Sequence, residues 1–341
     1  MLPNASADSH RGLHTVFAIP RRVTQRQVMI SNIAAPARQP SSHRSYVLMT
    51  AAYNEEAFVE TTITSVLHQT VLPKTWVIVS DGSTDRTEEI VEHYARQHAF
   101  IRFLKLTRPA GRSFGSKGIA LQKGNRLIEG ASFEFIGNID ADIEVEPSYF
   151  EALMDHIEGN PRLGLAAGWV YEKQGGEFRS RAINRPDSVP HAAQLVRREC
   201  YRAIGGYSVF KYGGEDWYAQ QSAKMHGWDA QTIPSLRVFH HRHTGAASNS
   251  FRNQFRSGRV AYLLGSNPVF ECFKCALKVS ERPWLLGAAT RLLGFAWSTL
   301  RREKRPVSEE FIKFLRMEQR AKLRGAFRGE RRWRLQGVRT R

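Results

Sequence analysis

Residues 133–142 read Phe-Glu-Phe-Ile-Gly-Asn-Ile-Asp-Ala-Asp, an apolar run that ends in two acidic residues. The run predicts a buried strand, and Asp140 and Asp142 fall where it ends. Because side chains alternate along a strand, we expect both carboxylates to point the same way. Such close like charges need a cation between them, and oxygen ligands suit Mg²⁺ or Mn²⁺ that carries substrate phosphates. The alternative is a solvated surface turn.

Two other predicted strands also end in polar residues. Residues 47–52 are apolar and pass into Tyr-Asn-Glu-Glu, and residues 76–80 pass into Asp-Gly-Ser-Thr-Asp. Ligands of open α/β sheets bind at the carboxyl ends of the strands. We therefore expect Asp81 to accept hydrogen bonds from a base or a ribose. The alternative for each segment is an ordinary turn from strand to helix.

Helical spacing follows both strands, at residues 58–67 and 86–97. Ser83 or Thr84 is expected to cap the second helix, and Asp85 is also expected to act in capping. The alternation of strands and helices predicts an α/β fold with a mostly parallel sheet.

At these residues the chain resembles the family 2 inverting glycosyltransferases of the GT-A fold, of the kind found in bacterial surface-polysaccharide synthesis. The matching segments, in the family's order, are Ala52-Tyr53-Asn54-Glu55-Glu56, Asp81-Gly82-Ser83-Thr84-Asp85, Gly115-Ser116-Lys117-Gly118, Asp140-Ala141-Asp142 and Glu215-Asp216. The resemblance covers roughly residues 45–245. Each motif is weak alone, but five in order are specific. The resemblance implies a Rossmann-like, mostly parallel sheet flanked by helices, a UDP- or GDP-sugar donor, a divalent cation and transfer of one sugar with inversion.

The resemblance also implies roles for individual residues. A diphosphate leaves only if its growing charge is neutralised, and an inverting reaction needs one base. Asp216 is the expected base, and Glu215 is expected to orient the acceptor or its loop. The implied donor-binding residues are Ala52, Tyr53, Glu55, Asp81, Lys117 and Asp140, and the implied metal ligands are Asp142 and His240. A compatible alternative is that the two acids at 215 and 216 begin a helix over residues 217–226.

Lys117 and His240 each have a second interpretation. Lys117 lies in a basic, glycine-containing segment that suits a diphosphate, but it also fits a solvated lysine at a helix start. Arg108 and Arg112 share this ambiguity. His240 follows an apolar strand at residues 236–239 and suits a metal or diphosphate site, but clustered histidines also occur on surfaces. The neighbouring His241 and His243 are weaker candidates.

The sequence divides into three parts. Residues 1–44 are polar without an apolar signal region and are expected to be disordered. Residues 45–250 form the predicted catalytic domain, in which the loop over residues 204–215 frames the acceptor site. Residues 251–341 form a predicted basic helical extension. With Cys200, Cys272 and Cys275 there is no disulfide framework, which indicates a cytoplasmic protein.

The extension suggests a membrane partner. Residues 284–300 are apolar with aromatic residues near both ends and a basic cluster beyond, which favours an interfacial helix over a spanning one. A buried helix is the alternative. Residues 316–341 contain ten Lys or Arg against two Glu, within a net charge of +18, and this favours an anionic surface. We expect a peripheral protein on the inner face of the cell membrane.

Several alternatives remain open at this point. The acceptor is a glycan or lipid-linked glycan, or else a polyprenyl phosphate. Outside the enzyme class, the chain is a nucleic-acid-binding protein or a non-catalytic membrane scaffold. Nucleic acid is not the expected partner, because the positive charge concentrates near the C-terminus and no nucleic-acid motif occurs. Retention of the acidic motifs speaks against a scaffold.

Overall fold

The computed structural model describes residues 44–107, 115–242, 250–277 and 284–327. Of the segment expected to be disordered, only Arg44 is described, and it pairs with Asp155 and Glu158 of the next domain. Arg108, Arg112 and His243 lie outside the described residues.

Within the described residues, one sheet carries nine strands, flanked by helices. The strands are β1 (Tyr46–Ala52), β2 (Thr75–Ser80), β3 (Ile101–Lys105), β4 (Phe135–Ile139), β5 (Ile143–Val145), β6 (Leu163–Gln174), β7 (Glu177–Ser180), β8 (Ala193–Arg197) and β9 (Asp229–His240). The helices are α1 (Val59–Leu67), α2 (Thr87–Gln97), α3 (Ser116–Asn125), α4 (Tyr149–Gly159), α5 (Arg198–Ala203), α6 (Glu215–Met225), α7 (Ser250–Leu263), α8 (Pro268–Leu277), α9 (Trp284–Leu300) and α10 (Glu309–Phe327).

The strand order is β3-β2-β1-β4-β8-β6-β9-β5, with β7 paired to β6. From β3 to β4 all neighbours are parallel, as the alternation of elements predicts. Strand β8 then runs antiparallel to both β4 and β6. The carboxyl ends of β1, β2 and β4, which carry three of the sequence motifs, therefore meet at one edge. The predicted α/β class is confirmed.

The central strands are buried on both faces, as expected for a parallel sheet covered by helices. Leu48 and Trp76 belong to one core, with residues of α1 and α4. Met49 and Val77, each one residue further along, belong to the other core, with residues of α3 and α5. This alternation explains why strands β1 and β2 read as continuous apolar runs rather than as alternating patterns.

A buried chain of hydrogen bonds fixes the three strands relative to one another. The indole Nε1 of Trp76 donates to Oγ1 of Thr50 at 3.0 Å, and Thr50 donates to the carbonyl oxygen of Ile139 at 2.8 Å. Both Trp76 and Thr50 are buried, so the bonds are protected from water. The link ends at Ile139, directly before the acidic pair, and so holds this edge in place.

The helical extension packs through glycines. A Cβ atom at Gly258 of α7 would overlap the carbonyl oxygen of Arg291, and one at Gly294 of α9 would overlap that of Phe255. The two backbones therefore touch, which only glycine permits. The extension also contacts the sheet domain, because Phe311 of α10 packs on Tyr218 of α6 at 4.7 Å between ring centroids. No helix in the described segments is long and apolar enough to cross a bilayer.

Candidate active site

The loops after β1 and β2 are tied to each other. Asn54 has a positive φ of 53°, a conformation that asparagine adopts more readily than most residues. Its backbone N–H donates to Oγ of Ser83 at 3.2 Å, and its Oδ1 accepts from the N–H of Thr84 at 2.8 Å. The N–H of Asp81 donates to the carbonyl oxygen of Ala52 at 2.9 Å. These bonds place Asp81, which is buried, beside the end of β1.

Asp85 links the start of helix α2 to the loop after β1. Its Oδ1 accepts from the backbone N–H of Thr87 at 3.0 Å, and its Oδ2 accepts from the N–H of Glu56 at 3.1 Å. The N-cap residue of α2 is Arg86, which makes no side-chain capping bond, so Asp85 contacts the first N–H of the helix without occupying the capping position expected of it. The expectation that Ser83 or Thr84 would supply the cap is wrong, because both side chains contact the loop after β1 instead.

Asp140 and Asp142 lie in a tight turn. Strand β4 ends at Ile139, strand β5 begins at Ile143, and the N–H of Ile143 donates to the carbonyl oxygen of Asp140 at 3.3 Å. Because the chain has left the strand, the alternation of a strand does not set the directions of these two side chains. The two carboxylates contact different basic residues, Lys117 and His240, and they are close enough that the charge of Asp142 acts on Asp140.

The carboxylate of Asp142 contacts two basic residues, one at the end of β9 and one just after it. Its Oδ2 lies 3.1 Å from Nε2 of His240 and 3.8 Å from Nε of Arg242. Arg242 also donates to the carboxylate of Glu55, so it bridges two acidic residues from distant parts of the sequence. Neither carboxylate is isolated, which is the usual condition for charges this deeply buried.

The protonation of this pair follows from the contacts. Burial on its own would raise the pKa of Asp142, but the hydrogen bond and charge of His240, with the charge of Arg242, hold it below its usual value. Burial would lower the pKa of His240, but the bond to Asp142 raises it. The pairing thus favours the ionised carboxylate and the protonated imidazole.

Asp140 meets a different cation. Nζ of Lys117, at the start of α3, donates to Oδ1 of Asp140 and to the carbonyl oxygen of His191 at 3.2 Å. Burial raises the pKa of Asp140. The charge of Lys117 lowers this pKa and the charge of Asp142 raises it, but the effect of burial is larger and the net shift is upward. Lys117 is therefore not a free surface lysine in this structure, since it neutralises the first acid of the motif.

Sequence reasoning missed three participants. Arg242 was passed over beside the histidines, although its guanidinium bridges Glu55 and Asp142. Asn138 donates through Nδ2 to the carbonyl oxygen of His191 at 2.5 Å, which positions that carbonyl for Lys117. A signal for Asn138 was present, because it is a polar residue in the middle of a buried apolar run. His191 carries no comparable signal.

The loop over residues 204–214 lies against α3 and α7. A Cβ atom at Gly118 would approach the carbonyl oxygen of Ser208 to 3.1 Å, so α3 and the loop are in close contact. Gly213 and Gly214 have φ values of 85° and 105°, which glycine adopts at no steric cost. On its other side, Gly214 meets side chains of α7. The predicted acceptor loop is thus packed between the candidate donor site and the extension.

The two acids after this loop face different surroundings. Helix α6 begins at Glu215, two residues earlier than the sequence predicted. Oε1 of Glu215 accepts from the backbone N–H of Phe210 at 3.2 Å, and burial raises the pKa of Glu215. Asp216 is exposed. Of the two, Glu215 is engaged in holding the loop, and Asp216 presents its carboxylate to solvent.

The structure thus brings most predicted residues to one edge of the sheet. Ala52 is buried where β1 ends, and Tyr53 is half-buried immediately after it. Among the described residues, no three His, Cys, Asp or Glu side chains are grouped so as to hold a metal ion by themselves.

With acidic groups at the carboxyl edge of such a sheet and an acid pair at the start of a later helix, the fold is of the GT-A type. The fold is similar to that of Staphylococcus aureus TarS 1–349 in complex with UDP-GlcNAc, with a TM-score of 0.51 and 15% identity over 81% of this chain and 83% of that one. A model of glycosyl transferase family 2 matches residues 48–223. The chain belongs to glycosyl transferase family 2.

Curated relatives agree with this family. A poly-beta-1,6-N-acetyl-D-glucosamine synthase of Staphylococcus epidermidis is 33% identical over 118 residues, which is 35% of this chain and 26% of the relative. The glycosyltransferase EpsJ of Bacillus subtilis, itself described as uncharacterized, is 32% identical over 128 residues, which is 38% of this chain and 34% of the relative. The chain thus spans about a quarter to a third of the length of these relatives.

Proposed function

We propose that the protein transfers one sugar, with inversion, from a nucleoside diphosphate donor to a hydroxyl group of a glycan or lipid-linked glycan. The observation that carries this proposal is the paired acidic turn at the edge of the sheet. Asp140 and Asp142 each contact a cation of the chain, so the edge already balances negative against positive charge. A diphosphate with a divalent cation presents the same two signs of charge to these groups.

The acidic side chains of the turn fit a divalent cation that is also bound by the substrate. Mg²⁺ is usually bound through one or two carboxylates, with phosphate oxygens and water completing its coordination. Two acids, without a group of three His, Cys, Asp or Glu among the residues that the structure describes, match that pattern. Asp142 is the proposed ligand, and His240 is its proposed neighbour in the same site. When bound, Mg²⁺ or Mn²⁺ would neutralise the charge that grows on the departing diphosphate.

Lys117 is proposed to change partner when the donor binds. Its ammonium group now neutralises Asp140. Once Asp140 binds the ribose or the cation, Lys117 is released to contact a phosphate oxygen, so no buried charge is left without a partner. Tyr53, Glu55 and Asp81 are proposed to contact the nucleoside from the linked loops after β1 and β2, with the backbone of Ala52 beside them.

Asp216 is the proposed base. The acceptor oxygen attacks the anomeric carbon from the face opposite the diphosphate, and the carbon–oxygen bond to the diphosphate breaks with its electron pair leaving on the phosphate. The acceptor proton passes to the carboxylate of Asp216. Exposure of Asp216 suits a group that must meet an incoming acceptor, whereas Glu215 is engaged with Phe210 and is proposed to position the loop.

We further propose that α9 rests on an anionic membrane at the inner face of the cell. Its Gly294 faces α7, while Leu286, Leu293 and Leu300 keep 64%, 62% and 82% of their surface exposed. Arg291, the charge in the middle of the helix, points inward to the buried Glu271. The outward face is therefore apolar, and it is followed by Arg301, Arg302, Lys304 and Arg305. An apolar face beside a basic cluster complements an anionic lipid surface.

The test of the function is a donor screen on the full chain. UDP- and GDP-sugars are added with Mn²⁺, and the melting temperature and the release of nucleoside diphosphate are measured. A true donor raises the melting temperature, because it binds only the folded state, and it is slowly hydrolysed. If no UDP- or GDP-sugar is hydrolysed or stabilises the chain with either Mn²⁺ or Mg²⁺, the proposal fails. The alternative acceptor, a polyprenyl phosphate, is compared with glycan acceptors in the same assay.

A further inference from the structure

A pocket of about 420 Å³ lies between the loop before α6 and the helical extension. Its lining comes from residues 209–213 of that loop, from residues 259, 260, 263 and 264 of α7 and its end, and from residues 303, 304 and 306 after α9. We refer to it as the basic pocket. None of the roles discussed so far requires it.

One side of the basic pocket is cationic, and its arginine is held in place by two hydrogen bonds. Nη2 of Arg259 donates to the hydroxyl oxygen of Tyr212 at 2.8 Å and to Glu303 at 2.5 Å, and its guanidinium lies 4.2 Å from the Tyr212 ring centroid. Glu303 balances Arg259. Lys211 and Lys304 have no ion-pair partner in the described part of the chain, so the lining has a surplus of positive charge.

The other side of the basic pocket is apolar. Val209 comes from the loop, and Val260, Leu263 and Leu264 come from α7 and the residue after it. A pocket that joins uncompensated ammonium groups to aliphatic side chains suits a ligand with an anionic end and a hydrocarbon end. A nucleotide fits it poorly, because the pocket offers the nucleobase few polar partners.

The position of the basic pocket relates it to both proposed functional surfaces. Gly213, in its lining, is followed after one residue by Glu215 and then by the proposed base, Asp216. On its other side, Lys304 follows the last residue of α9, Leu300, by only four positions. A lipid that left the membrane beside α9 would therefore meet this pocket next to the acceptor loop.

We propose that the basic pocket binds the phosphate or diphosphate group, and the first part of the hydrocarbon chain, of a lipid-linked acceptor. This inference rests on the proposed function, since it supplies that reaction with its second substrate. The ammonium groups of Lys211 and Lys304 contact the phosphate, and the aliphatic wall contacts the chain. The sugar carried by the phosphate then lies at the loop that leads to Asp216.

The test uses soluble probes in buffer without divalent cations, so that diphosphate binding at the acidic turn is suppressed. Calorimetry compares geranyl diphosphate, inorganic pyrophosphate and geraniol as ligands of the full chain. We expect geranyl diphosphate to bind most tightly. The double variant Lys211→Glu/Lys304→Glu should weaken it by about tenfold or more, because two attractive charges become repulsive. The control Lys74→Glu/Lys173→Glu makes the same change of net charge at two exposed lysines outside the pocket.

Each contrary result overturns the proposal. Equal affinity in the pocket variant and the control, or no saturable binding of geranyl diphosphate by the native chain, excludes the basic pocket as the site. Geraniol binding as tightly as the diphosphate would mean that the phosphate is not recognised. Pyrophosphate binding as tightly would mean that a free anion, and not a lipid, is the ligand. Manganese-dependent nucleotide binding is measured in parallel, and its absence from the native chain would contradict the proposed function instead.

Discussion

The acidic turn at the sheet edge and the outer face of α9 differ in which groups they expose. The turn presents charged groups, whereas α9 presents apolar side chains. Around the turn, Asp142 is only 8% exposed and contacts His240, while the apolar residues of the strands lie behind it. On α9, Leu300 is 82% exposed, and the charged Arg291 is turned inward. A site for a charged ligand needs paired charges at a concave edge, whereas a surface for lipid needs its charges hidden or placed at its rim.

The comparison also separates two uses of glycine. At Gly213 and Gly214 the positive φ values bend a loop. At Gly258 and Gly294 the missing side chains let two helices touch. As a result, α9 packs Gly294 and Phe295 against the protein, while Leu286, Leu293 and Leu300 remain exposed. The predictions below test the two regions separately.

The largest expected effect is on catalysis. Asp216→Asn keeps the shape of the side chain but removes its capacity to take a proton, so transfer should fall on the order of 10²-fold or more. Donor binding should be nearly unchanged. The control is Glu215→Gln, which keeps an oxygen for the N–H of Phe210 and should cost less. The measurement is the steady-state rate of sugar transfer. A larger fall in that rate for Glu215→Gln than for Asp216→Asn would identify Glu215 as the base.

The next effect concerns the crossing of α7 and α9. Gly258→Ala places a methyl group against the backbone of α9, and we expect it to lower the free energy of unfolding by about 1–3 kcal/mol through overpacking. Gly159→Ala is the control, because nothing lies within 4 Å of its added Cβ atom. That change should be neutral or stabilise by up to about 1 kcal/mol. Denaturant titration compares them, and equal effects would contradict the close crossing.

The exposed leucines provide the third test. Leu286→Ser/Leu293→Ser/Leu300→Ser should reduce binding to anionic vesicles at low salt by about tenfold or more, because each leucine gives up part of its transfer free energy. The control Leu72→Ser/Leu127→Ser/Ile183→Ser removes other exposed apolar residues. Sedimentation measures the bound fraction. If the native chain stays in the supernatant, or both variants bind like it, the membrane proposal fails.

These substitutions test membrane binding more selectively than deletion of residues 280–341 does. We expect that deletion also to abolish sedimentation while nucleotide binding survives. Phe311 is fully buried against α6, however, so the deletion removes part of the support of the loop as well. The leucine variant leaves that packing in place, because its three side chains point to solvent.

The smallest expected effect separates loop support from donor binding within one motif. Asp85→Ala should lower the free energy of unfolding by about 1 kcal/mol, since it removes the hydrogen bonds that the carboxylate accepts from Thr87 and Glu56. Metal-dependent nucleotide affinity should remain close to that of the native chain. Thr84→Ala, which leaves the bonds of Asp85 intact, should change stability less. A loss of nucleotide affinity in Asp85→Ala as large as that in Asp81→Ala would assign Asp85 to the donor site.

The sequence predicted the strands and helices better than the contacts between their side chains. Apolar runs at residues 47–52, 76–80 and 133–139 located β1, β2 and β4, because buried parallel strands are apolar on both faces. Helix and strand ends shifted by a few residues, as at Glu215 and at Asp229, where β9 begins well before the predicted 236. Such boundaries depend on hydrogen bonds with distant segments, which a local pattern does not contain.

The candidate site shows the same division. Glu55, Asp81, Asp142 and His240 were proposed from the resemblance to the family and from their places at strand ends. The bridge from Arg242 to Glu55 joins residues far apart in the sequence, so no local pattern predicts it. The direction of the α9 face was likewise undetermined, because its leucines and glycines are both apolar and only the partner helix decides which side is buried.

The central claim is that Asp142 anchors a divalent cation with the donor diphosphate, and one calorimetric experiment tests it most directly. UDP and GDP are titrated into the full chain and into Asp142→Ala, with and without Mn²⁺. We predict that Mn²⁺ strengthens binding of one nucleotide to the native chain and that this gain is lost in the variant, while circular dichroism shows the fold retained. Equal dependence on Mn²⁺ in both proteins would contradict the account.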